Sequence, residues 1–169
     1  MTIVTATALP EDSALQSWRT AGQFADAYEA VLLEPDRSPT QIFLQATRAT
    51  PGWVSMLMSW RNAVARRVGL KDLSDRRAGL ARGAVEPAVG ERLGIFSVLR
   101  RTERELVLGI DDRHLDVRVS VWKSPEGAPA RYVVSTVVKV HNALGRAYMV
   151  PVARIHPRVV RAMMRRARV

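Results

Sequence analysis

The most regular pattern in the chain is the alternation from His114 to Trp122. Leu115, Val117, Val119 and Val121 fall on one side, and His114, Asp116, Arg118 and Ser120 on the other. A period of two over this length predicts a strand with one face in a core. It lies within residues 92–141, which predict four strands: Arg92 to Arg101, Arg104 to Ile110, His114 to Trp122 and Arg131 to His141. Thr102-Glu103 and Asp111-Asp112-Arg113 separate the first three. Connections this short join antiparallel neighbours, because parallel strands need a long crossover. A longer turn, Ser124 to Pro129, precedes the last strand, which is rich in Val and Thr.

The flanks read differently. Phe24–Leu33 reads as a first strand or a short helix, with the strand preferred because it runs straight into a Pro35-Asp36 turn. Ser38-Pro39-Thr40-Gln41 has the residues of a capped helix start, with Ser38 at the cap, Pro39 in the first turn and Gln41 closing a capping box. Ile42, Phe43 and Ala46 face inward on that helix, which ends near Ala49. Thr50-Pro51 opens a second helix, on which Trp53, Met56, Leu57, Trp60, Val64 and Val68 form an apolar stripe up to a stop at Gly69. Residues 71–91 have no apolar period and read as a long loop.

After the sheet, Asn142 caps a helix that runs to the C-terminus. Leu144, Tyr148, Val152, Ile155, Val159 and Met163 share one face, and Arg154, Arg158, Arg161, Arg165 and Arg168 the other. Pro151 and Pro157 predict a kink or short break. Residues 1–20 lack a period and predict an N-terminal arm, with Leu15 and Trp18 as anchors; residues 21–169 form one domain. The expected fold class is α+β. An antiparallel sheet of about five strands wraps around a long C-terminal helix, with two helices between strands 1 and 2.

Composition narrows the function classes. A chain of 169 residues, 47% hydrophobic, can build a full core. It has no cysteine, which excludes disulfides and thiolate chemistry and suits a reducing compartment. No apolar run approaches a membrane span of ~20 residues, and the first ten residues make a poor signal peptide. A cytoplasmic location is expected. The net charge of +10 permits an anionic partner. Nucleic acid is not expected, because no nucleic-acid module is visible. The basic helix face, through Arg154, Arg158, Arg161 and Arg165, could lie on an anionic membrane. A solvated outer face explains the same arginines and is favoured.

Candidate chemistry is sparse. His114, His141 and His156 show no metal-ligand spacing. Asp112, His114, Asp116, Arg118 and His141 form a candidate polar cluster, since acids beside a histidine can exchange protons. An aspartate-shaped turn and an ion pair between Asp116 and Arg118 on the strand's polar face account for most of it and are preferred. No phosphate loop follows a strand, and no serine sits in a nucleophile elbow. No cofactor, metal or catalytic residue is therefore assigned.

Two stretches carry a resemblance. Leu108-Gly-Ile-Asp-Asp-Arg-His-Leu-Asp116, continuing Val117-Arg-Val-Ser120, and Val140-His-Asn-Ala-Leu-Gly-Arg-Ala-Tyr148 resemble a bacterial family named domain of unknown function 2867. The resemblance runs from about Ala27 to Arg166. That family looks related to the Bet v 1-like, START-like (SRPBCC) helix-grip proteins. Those fold an antiparallel sheet around a long C-terminal helix and often hold apolar ligands between the two. The resemblance implies a binding domain and transfers no catalytic residue.

The leading expectation is a non-enzymatic domain that binds a small apolar or amphipathic molecule. Its candidate lining is Trp53, Met56, Trp60, Val117, Val119, Tyr148 and Val152. The alternatives are a hydrolase, cyclase or isomerase built on Asp112, His114 and Asp116, and a membrane or partner module built on the basic helix. Neither the ligand nor the oligomeric state is legible in the sequence.

Overall fold

The computed structural model describes residues 2–54, 56 and 86–169. The elements are β1 (Thr5–Ala6), α1 (Leu15–Trp18), β2 (Phe24–Val31), α2 (Pro39–Arg48), β3 (Arg92–Leu93), β4 (Phe96–Arg101), β5 (Glu105–Asp111), β6 (Leu115–Lys123), β7 (Arg131–Val140) and α3 (Ala143–Ala167). All strands join one antiparallel sheet in the order β1-β2-β7-β6-β5-β4-β3. The fold is α+β, as the pattern predicts.

The sheet has seven strands rather than about five. The two additions, β1 and β3, are two-residue edge strands, too short to carry a period. The expected strand from Arg92 to Arg101 folds back on itself after Leu93. Leu93 pairs with Phe96, and Gly94 takes a positive φ of 65°, which a two-residue hairpin favours. β1 extends the sheet beyond β2, pairing Thr5 with Glu29.

The register fixes the two faces. β2, β7 and β6 align Asp26 with Thr136 and Thr136 with Val119, so these three share a face. Leu106, Leu108, Val121 and Tyr132 lie on that inner face and are buried. Helices α2 and α3 cover it, with Ile42, Ala46, Met164 and Ala167 in the core. The capping box at Ser38 forms as expected, Ser38 accepting from the Gln41 amide and Gln41 from Ser38. Helical residues follow at 52–54. Leu57, Trp60, Val64, Val68, Gly69 and the loop as far as 85 lie outside the described residues.

The opposite face is covered as well. Leu9 and Leu15, from the N-terminal segment, pack on Ala27, Val107, Trp122, Val133 and Val137. Glu105 is the polar tie, only 4% exposed. It accepts hydrogen bonds from Ser13 Oγ at 2.6 Å, Ser120 Oγ at 2.7 Å and the Ala14 amide at 3.0 Å. The polar face of β6 is thus partly roofed by protein rather than left to water.

Helix α3 starts at the predicted cap, where Asn142 Oδ1 accepts from the Gly145 amide at 3.0 Å. Its helical run of 25 residues continues through Pro151 and Pro157 without a break. Its deepest positions are Gly145, Met149, Met164 and Ala167. The predicted stripe of Leu144, Tyr148, Val152, Ile155, Val159 and Met163 is only half-buried. At the first turn the helix comes so close to the sheet that only a residue without a side chain fits. A Cβ at Gly145 would overlap the carbonyl oxygen of His114.

Candidate functional site

A cavity of about 270 Å³ lies between the sheet, α2 and α3. β6 and β7 supply its floor with Val119, Val121, Val134 and Thr136; α3 supplies His156, Val160, Met163 and Met164. Ile42, Phe43 and Ala46 of α2 form one wall, and the β3–β4 hairpin forms another with Leu93 and Phe96. Phe43 and Phe96 meet edge to face, with ring centroids 5.9 Å apart. The lining is mostly apolar because four strands and two helix stripes converge there.

One end is polar. Asp26 stands on the inner face of β2, among Tyr28 and Ala30, where alternation favours an apolar residue. Its Oδ2 accepts the Nδ1 proton of His156 at 2.7 Å. Tyr28 donates to the same oxygen at 3.4 Å. Burial, and then the Asp26 charge, push the Tyr28 phenol above its ordinary pKa, so it remains a donor. Arg161 lies over the Tyr28 ring, 5.0 Å from its centroid. Asp26 Oδ1 and Arg161 Nε are buried and have no hydrogen-bond partner among the described residues.

The expected lining is only partly assembled. Val119 faces the cavity. Val117, Tyr148 and Val152 pack instead with Leu115, Val138 and Met149, in a neighbouring cluster. Trp53 is 45% exposed and Met56 72% exposed, away from the lining. Trp60 is outside the described residues.

The expected polar cluster divides among separate structural tasks and lies outside the cavity lining. His114 is buried, and its Nε2 accepts from Arg113 Nε at 2.7 Å. Its Nδ1 lies 3.2 Å from Asn142 Oδ1 and 2.9 Å from Asn142 Nδ2, which ties the ring to the α3 cap. The Asp112 amide donates to Asp116 Oδ1 at 3.3 Å. Asp116 pairs with His141 at 3.0 Å rather than with Arg118. Arg118 pairs with Asp111 at 2.6 Å and stacks on Trp18, its guanidinium 4.8 Å from the ring centroid.

Among the described residues, no three His, Asp or Glu side chains gather as a metal set. No helix there is long and apolar enough to cross a membrane. Arg154, Arg158 and Arg165 are exposed on α3, while Arg161 is half-buried beside Tyr28. A second hollow, on the other face of the sheet, is lined by Asp12, Arg100, Arg104 and Trp122, and its Arg104 is paired with Asp12 at 2.7 Å.

A protein-family model described as protein of unknown function DUF2867 matches residues 18–163. The chain belongs to the DUF2867 family. No curated protein and no solved structure matches it. The DUF2867 match spans every residue of the polar end, from Asp26 on β2 to Arg161 on α3. Sequence reading passed over this group, although one signal was present. An acid between Phe24 and Tyr28, on the core side of a strand, requires a partner from the element packed above it.

Proposed function

We propose that this DUF2867 chain is a helix-grip domain that binds a small apolar or amphipathic molecule between its sheet and α3, without a catalytic step of its own. The observation that carries the reading is the cavity of about 270 Å³, lined by Val, Ile, Phe and Met and ending in a few polar groups. Ligand sites combine an apolar wall with a small number of placed polar groups, in volumes from ~300 Å³ upward. At about 270 Å³ the cavity falls just below that range, which fits a compact ligand. The order of strand, helices, strands and long C-terminal helix supports the helix-grip assignment. The pairing of His114 with the α3 cap and of Asp116 with His141 favours binding over an enzyme centred on that cluster.

Native mass spectrometry of freshly purified protein tests this reading. The expected result is an adduct that is retained under native conditions, released on denaturation, and lost in Val160→Phe, which fills the space. A bare polypeptide mass, unchanged after equilibration with naphthalene, would contradict it.

A further inference from the structure

We infer that the polar end of the cavity recognises a neutral protic head group, so that the ligand is a small apolar molecule bearing one hydroxyl, a phenol or an alcohol. This rests on the cavity reading above and adds the head group to it. An ionised carboxylate only accepts hydrogen bonds, so Asp26 Oδ2, 2.7 Å from His156 Nδ1, holds the ring proton on Nδ1. With Nδ1 committed to Asp26, the ring has only Nε2 left for the cavity, and in its neutral form that atom is a lone-pair acceptor. His156 lines the cavity, and no described residue bonds its Nε2. Phe24 packs edge-on against the imidazole, with centroids 5.7 Å apart, and restricts its rotation.

Thr136 stands opposite Asp26 in the β2–β7 register and also lines the cavity. Its hydroxyl can donate or accept, and no described residue bonds it. A ligand O–H that donates to Nε2 and accepts from Thr136 satisfies both groups. A plain hydrocarbon would cover them and leave both unpaired, which costs binding free energy. Charge argues for a neutral head. Asp26 supplies one negative charge, and Arg161, stacked on Tyr28 just behind it, supplies one positive charge. Neither a carboxylate nor an ammonium on the ligand would be matched.

The test uses paired probes of equal shape, naphthalene with 1-naphthol and toluene with p-cresol, titrated calorimetrically into the intact chain. The wild type should bind each phenol about three- to tenfold more tightly than its arene, the fold-change of one or two net hydrogen bonds. His156→Phe should erase that preference, and Thr136→Val should reduce it. If His156→Phe does not fold, Thr136→Val carries the comparison. Equal affinity for phenol and arene in the wild type overturns the head-group assignment and leaves cavity binding intact. A preference that survives both substitutions also overturns it. Failure of every probe to bind overturns the cavity reading and this inference together.

Discussion

Tyr132 is fully buried, and its hydroxyl has no hydrogen-bond partner among the described residues. Burial raises its pKa from 10.0 to about 12. The native state therefore holds this proton more tightly than the unfolded chain does. Ionising it costs the native state about 2–3 kcal/mol, a penalty absent below pH ~10 and complete once pH has risen through ~12. Tyr132→Phe keeps the ring and removes the unsatisfied hydroxyl. It should unfold at the same or higher denaturant concentration at pH 7, by up to about 1 kcal/mol. Denaturant titrations at several pH values should also show a shallower decline above pH 10 than wild type. Gly145 gives the opposite expectation from its usual rule. Ala normally stabilises a helix relative to Gly by about 1 kcal/mol. Here the added Cβ meets the His114 carbonyl and comes within 2.9 Å of Val140 Cγ1. Gly145→Ala should lower stability by about 1–3 kcal/mol in the same titration.

At the level of elements, what could be read from the sequence depended on how long each pattern ran. The alternation of β6, the capping box of α2 and the Asn142 cap of α3 are local signals, and all three form as predicted. β1 and β3 are too short to show a period, and their pairing is decided by tertiary contact. Helix α3 was recognised, and its predicted stripe does face the sheet through Tyr148, Val152, Val159 and Met163, but Gly145 and His156 join that face without an apolar signal. Likewise Arg161 fits an arginine-rich outer face in sequence, and only the β2–α3 packing turns it over Tyr28. The N-terminal segment is held through Glu105, which no periodicity marks. Removing that carboxylate leaves Ser13, Ser120 and the Ala14 amide without their shared acceptor. Glu105→Ala should cost about 2–4 kcal/mol. Hydrogen exchange at Ala14 and Leu15 should accelerate more than exchange within β6. Equal acceleration at both would show that Glu105 supports the sheet as a whole rather than the segment.

At the scale of the molecule, the sheet is a partition with different work on each side. One face is partly covered by the N-terminal segment, and the other is spanned by α2 and α3 around the cavity. Sequence alone showed that such a sheet and helix exist. It could not show which residues converge, because the cavity draws on α2, β3, β4, β6, β7 and α3 at once. The central claim, that this space accepts a small apolar molecule, can be observed residue by residue. Methyl-labelled protein titrated with naphthalene should show saturable shifts at Val119, Val134, Met163 and Met164, which line the cavity. Val107 and Val133, buried on the opposite face, should stay fixed. Unmoved cavity methyls, or shifts spread equally over both faces, would contradict the account.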